Sequence, residues 1–221
     1  MNLTIYGDSI LKGVLYENGR YVMERGWETR LAERFGLRVA NRSRFGSTLP
    51  KALARIEKDA ETTPEGEEYA LLEFGGNDCD FDWKAVSDAP ESEHLCHTPP
   101  REFADCCRRA IHLLRESGRT PILSTLPPIH AERYLGFLCR GGLSRENLVR
   151  FLGDVQRIYR WQESYSDLIG QLAREEKTPL LDLRRPFLED RRPMEALLCA
   201  DGIHPSRQGQ ELVYEALCAA L

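Results

Sequence analysis

Short apolar runs alternate along the chain with longer stretches in which apolar residues recur every three or four positions. The short runs are β-branched or leucine-rich and predict five strands, at Leu3–Tyr6, Arg38–Asn41, Tyr69–Phe74, Pro121–Thr125 and Pro179–Asp182. The periodic stretches predict helices over Trp27–Phe35, Leu49–Asp59, Arg101–Ser117, Ser144–Glu176 and Ser206–Ala219. In Arg101–Ser117 one face collects Phe103, Cys107, Ala110, Ile111 and Leu114, and Gly118 follows as a C-cap. Ser144–Glu176 reads as one long helix opened by a Ser144 cap, its Trp161 and Tyr165 belonging to the core. Strand and helix in alternation imply repeated βα units and a parallel sheet. Two polar stretches, Asp80–Pro100 and Pro127–Leu143, are longer than ordinary connections, as loops with a function tend to be.

A length of 221 residues suits a single domain spanning 1–221. The balance of 42% hydrophobic and 29% charged residues is that of a soluble globular protein, and a net charge of -5 supplies no basic surface for nucleic acid. No apolar run reaches the ~18 residues of a membrane span, and a strand beginning beside Met1 predicts no signal peptide. A cytoplasmic location without membrane attachment is therefore expected. The seven cysteines contain no CxxC pair and are odd in number, against a disulfide framework. His94, Cys96 and His97 cluster in sequence, but at no usual zinc spacing and without a second ligand pair. Neither a metal nor a cofactor is expected.

Ligands of an open parallel sheet bind beyond the carboxyl ends of its strands, which directs attention to the residues just after each one. The first strand ends in Gly7-Asp8-Ser9, the second runs toward Asn41 and Gly46, and the third ends in Gly75-Gly76-Asn77-Asp78. Asp201-Gly-Ile-His204 precedes the last helix. Each alone is ordinary turn or capping chemistry. Together they supply a hydroxyl nucleophile, an imidazole base and a carboxylate to orient it. If the second and third strands flank the first, the Gly46 amide and the Asn77 carboxamide would lie beside Ser9 as donors to an oxyanion. Asp8 then reads as a loop-shaping acceptor, since His204 already covers the acid and base steps.

In this order and spacing the chain resembles the SGNH/GDSL hydrolases, serine esterases and lipases named for Ser, Gly, Asn and His in four blocks, here Ser9, Gly46, Asn77 and His204. The resemblance runs from residue 5 to 205, with Asn41 before Gly46, Gly75-x-Asn77-Asp78 as the third block and Asp201-x-x-His204 as the last. Ile10 and Ser43 depart from the family pattern at positions without chemistry. The resemblance implies a three-layer α/β/α sandwich with a five-stranded parallel sheet of flavodoxin-like form. It also implies a carboxylic ester hydrolase acting through an acyl-enzyme on a small-molecule ester. Ser9, His204 and Asp201 would be catalytic, with Ser9, Gly46 and Asn77 forming the oxyanion hole. The same intermediate serves an acyltransferase or thioesterase, and a non-catalytic flavodoxin-like binding protein is the alternative from another class. The charged character of Asp80–Pro100, with Phe81 and Trp83 as stacking surfaces, favours a short acyl group such as acetyl on a polar or sugar alcohol. Tyr134, Leu135, Phe137 and Leu138 would either line a small acyl pocket or anchor their loop.

Overall fold

A computed structural model describes all residues, 1–221. Its strands are β1 (Asn2–Gly7), β2 (Val14–Glu17), β3 (Arg20–Met23), β4 (Arg38–Asn41), β5 (Glu68–Glu73), β6 (Thr120–Ser124) and β7 (Leu180–Leu181). The helices are α1 (Trp27–Phe35), α2 (Leu49–Ala60), α3 (Trp83–Asp88), α4 (Pro100–Glu116), α5 (Ala131–Arg140), α6 (Arg145–Leu152), α7 (Arg157–Glu175), α8 (Arg184–Glu189), α9 (Met194–Leu197) and α10 (Arg207–Ala220). Five strands form a parallel sheet in the order β4-β1-β5-β6-β7, so β1 lies between the two strands expected to flank it.

Side chains alternate across each strand, and the alternation divides the core in two. Tyr6, Ala70, Leu72, Phe74 and Leu123 pack beneath α2, α4 and α7. Leu3, Ile5, Leu71 and Leu181 pack on the opposite face against α1, α8, α9 and α10. The result is a three-layer α/β/α sandwich. Fully burying one such side chain stabilises the fold by about 1.5–3 kcal/mol, which is why the apolar face of α4 selects the layer it joins.

The structure departs from the sequence reading in three places that matter for the site. The expected long helix is broken: α6 ends at Gly153, whose φ of 73° is open to glycine, and Asp154 accepts the Gln156 amide before α7 begins. Periodicity continues across the break because both helices bury apolar faces. α6 buries its face against α3 and α5, while α7 runs along the sheet. The two long loops each contain a helix, α3 and α5, which join α6 in a third apolar cluster around Trp83, Tyr134 and Leu148. The β2–β3 hairpin is a separate two-stranded sheet. It turns on Asn18-Gly19, with φ of 52° and 79°, the dipeptide that most strongly marks a tight hairpin.

Candidate functional site

The end of β1 determines what sits beneath Ser9. Gly7 is paired with Glu73 of β5, and both positions face the α1/α10 side of the sheet. A Cβ on Gly7 would meet Ser43 Oγ at 2.9 Å and Glu73 Oε2 at 3.1 Å, so glycine is required for the glutamate to fold under the turn. The chain then leaves the sheet. Asp8 Oδ1 accepts the Ile10 amide (2.8 Å), and the Asp8 and Ser9 carbonyls accept the Lys12 and Val14 amides. This tight turn presents Ser9, 7% exposed, at the carboxyl end of the sheet.

His204 and Asp201 reach Ser9 from the loop before α10. Asp201 Oδ1 accepts the amides of Ile203 and His204, both at 3.2 Å, which folds the loop around the carboxylate. Oδ2 is left for His204 Nδ1 at 2.6 Å, and Nε2 lies 2.9 Å from Ser9 Oγ. With Nδ1–H donating to the carboxylate, Nε2 carries the lone pair and the serine hydroxyl donates to it. Asp201 is fully buried and His204 nearly so, hence water competes little with either bond.

Asn77 and Gly46 flank the serine from β5 and β4. One Asn77 Nδ2–H donates to Asp8 Oδ2 (2.9 Å), which leaves the second free; Asp8 thus shapes the turn and also holds the carboxamide. Asp78 Oδ1 accepts the Leu49 amide at the start of α2 and Oδ2 accepts the Gly75 amide, fastening the loop that carries Asn77. Burial pushes the Asp78 carboxyl up to about 6. Gly46 follows Phe45, whose ring faces His204, and the Arg44 amide donates to the Gly7 carbonyl, tying this loop to the end of β1. The amides of Ser9 and Gly46 donate to no protein acceptor.

Glu73 went unread in the sequence because it lies within an apolar strand. A charged residue inside Leu71-Leu72-Glu73-Phe74 is itself the signal that finds it. It is fully buried, its Oε2 accepts the Asp8 amide (3.3 Å), and its Oε1 has no partner. Burial, and then the facing Asp8 charge, hold the Glu73 carboxyl well above the usual carboxylate range; burial also raises Asp8. A native group that keeps its proton above the unfolded pKa makes stability fall as pH rises from that value toward the folded one. Glu73→Gln removes this dependence. Its melting temperature is expected to gain on that of the wild type as pH rises above about 5, over the range in which Glu73 is ionised in the unfolded chain and still protonated in the fold. Thermal denaturation across that range checks it, and parallel curves would mean Glu73 is charged in the fold.

Beside Ser9 a cavity of about 90 Å³ is walled by Phe81, Trp83, Tyr134, Phe151, Ile158 and Trp161. Trp83 is buried, so it offers no exposed stacking surface; Asp80 is turned inward, accepting from Trp83 Nε1 and Tyr134 Oη, both at 2.7 Å. The charged character of Asp80–Pro100 therefore belongs to its outer face. Of Tyr134, Leu135, Phe137 and Leu138 only Tyr134 reaches the cavity wall, joined there by Pro127 and Ile129 from the start of the same loop. Leu135 is buried in the third cluster, where Leu138 and Phe137 pack against it, and the Phe137 ring also meets Tyr16. Trp161, assigned to the core by its helical spacing, also lines the cavity. Phe151 and Arg157 do so from either side of the helix break, which periodicity alone did not place. His94, Cys96 and His97 bond separately, to the Ala89 carbonyl, the Tyr165 hydroxyl and the Asn77 carbonyl.

Known proteins resemble this chain along nearly its whole length. The chain is 25% identical over 231 residues to the uncharacterized lipoprotein YqeF of Bacillus subtilis (strain 168), covering 98% of this chain and 87% of that protein. The acetylxylan esterase Axe2 of Geobacillus stearothermophilus superimposes with a TM-score of 0.66 at 20% identity, over 99% of this chain and 93% of that one. A lipase/acylhydrolase of Enterococcus faecalis does so with a TM-score of 0.64 at 19% identity, over 99% and 93%. These structures speak to the fold. The model of the GDSL-like Lipase/Acylhydrolase family matches residues 5–212, from the strand before Ser9 to the helix after His204, and the chain belongs to that family of hydrolases.

Proposed function

We propose that the protein hydrolyses a carboxylic ester of a short acyl group, such as acetyl, with a polar alcohol, by way of an acyl-enzyme on Ser9. The observation that carries this reading is the unbroken line of hydrogen bonds from Asp201 through His204 to Ser9 Oγ, at 2.6 and 2.9 Å. Ser9 Oγ attacks the ester carbonyl carbon as its proton passes to His204 Nε2. The oxyanion that forms is met by the Ser9 and Gly46 amides and the free Asn77 Nδ2–H. The C–O bond to the alcohol breaks and His204 returns the proton to the departing oxygen, leaving Ser9 acylated. Water then attacks the acyl-serine, giving its proton to His204, and collapse restores the Ser9 hydroxyl and frees the carboxylic acid.

The acyl length follows from the cavity. Engineered apolar cavities of about 150 Å³ accommodate benzene, so the ~90 Å³ beside Ser9 suits an acyl group of a few carbons. The polarity of the outer loops, which motivated the same expectation from sequence, contributes less, because those charges face solvent. Among p-nitrophenyl esters from acetate to palmitate, kcat/KM is expected to be highest at acetate to butyrate and to drop at least tenfold by octanoate. A steady rise toward palmitate would mean the cavity opens for a fatty chain. Acyl transfer to an excess of added alcohol, outpacing hydrolysis, would make the enzyme a transferase. We further propose a cytoplasmic location. All seven cysteines are free thiols, as suits a reducing compartment, and no helix is long and apolar enough to cross a membrane.

A further inference from the structure

Outside the cavity, His204 borders a second surface that neither the fold nor the acyl group explains. Tyr21 of β3 and Phe45 of the loop after β4 are 43% and 52% exposed, although both are large and mainly apolar. Their rings meet at 5.0 Å, and both rest against the His204 imidazole, Tyr21 by its edge at 5.4 Å and Phe45 nearly parallel at 6.0 Å. Neither lines the cavity.

The ledge is held firmly with respect to the reacting groups. The Val14 amide donates to the Ser9 carbonyl (2.9 Å), joining the hairpin to the serine turn. The Tyr16 amide donates to Cys199 Sγ (3.3 Å), joining it to the loop that carries Asp201 and His204. Tyr16 lies opposite Tyr21 in the hairpin register and supports its ring at 5.1 Å.

An ester has two halves. With the acyl group in the cavity, the alcohol must depart where His204 Nε2 can protonate its oxygen, and the ledge lies against that imidazole. A ring with one apolar face and hydroxyls around its edge matches what the ledge offers. One aromatic ring would support its C–H face and the other, inclined at 62° to the first, would border its edge, while the Tyr21 hydroxyl, free of protein partners, and the exposed Arg20 and Arg44, in no ion pair, lie at or next to the two rings in sequence. A long alkyl alcohol would need a continuous apolar groove, and here two exposed rings are each followed or preceded by an arginine.

We propose that Tyr21 and Phe45 form the leaving-group subsite and that the alcohol half of the substrate is a sugar ring. The inference rests on the esterase reading. Its test is the ratio of kcat/KM for an acetylated methyl pyranoside to that for ethyl acetate, measured on wild type, Phe45→Tyr, Phe45→Leu and Tyr21→Leu. Leucine keeps apolar bulk but removes the flat face, and the ratio cancels any disturbance of the neighbouring Gly46 amide. A wild-type ratio above about ten, preserved in Phe45→Tyr and reduced at least fivefold by each leucine variant, is the expected result. A wild-type ratio near unity, or one that a Tyr21→Leu/Phe45→Leu double variant leaves unchanged, overturns the subsite while the esterase reading stands. Failure of the wild type to hydrolyse any ester, p-nitrophenyl acetate included, overturns the esterase reading and the subsite with it.

Discussion

Ser9→Ala is expected to lower kcat by about 10⁴–10⁶ and to abolish covalent labelling by a fluorophosphonate. The size follows from the loss of the acyl-enzyme route: without Oγ, only substrate binding and the oxyanion donors remain to accelerate attack by water. Structural collapse is not a rival explanation, because the Ser9 side chain makes a single hydrogen bond, to His204, and alanine leaves the turn held by Asp8 intact. Loss of that bond costs about 1 kcal/mol. Intact mass after labelling should show one adduct on the wild type and none on the variant. An adduct that persists on Ser9→Ala would assign the nucleophile elsewhere.

Asp201→Asn should be nearly as severe, with kcat reduced about 10⁴-fold and KM little changed. The geometry explains why so small a change is so costly. Oδ1 receives the Ile203 and His204 amides, so an asparagine must place its own oxygen there and turn its NH₂ toward His204 Nδ1. Facing a donor, Nδ1 gives up its proton, the ring carries hydrogen on Nε2, and Nε2 can no longer accept from Ser9. The variant should fold, since its backbone contacts survive, and near-ultraviolet circular dichroism beside the kinetics would establish that. A loss smaller than tenfold in a folded variant would mean that the histidine keeps its productive tautomer without Asp201.

Much of this protein was determined by short-range pattern. Leu3–Tyr6 and Arg38–Asn41 announce strands by their composition, and the faces of α1, α2 and α4 are legible because helical spacing persists wherever one side of a helix is buried. Ser9, Asn77, Asp201 and His204 could be singled out because strand ends in a parallel sheet are where ligands bind, and few residue types can do acyl chemistry. The Asn18-Gly19 turn went unread, although both residues favour positive φ and mark a tight hairpin.

Other features belong to the tertiary structure because they depend on which surfaces meet. The break at Gly153 is invisible to periodicity, which reports burial and not the partner being buried against. Tyr134, Phe151, Ile158 and Trp161 come from three helices, and only their packing encloses a cavity beside Ser9. Glu73 takes its meaning from Gly7 across the sheet, where a missing Cβ makes room for a carboxyl group that the strand would otherwise exclude. Tyr21 and Phe45, twenty-four positions apart in number, become one surface only when a hairpin and a loop both close on His204. Local sequence chose the chemistry of the site; the shape around it arose from contacts between residues far apart in the chain, whose free energy exists only once the chain has folded.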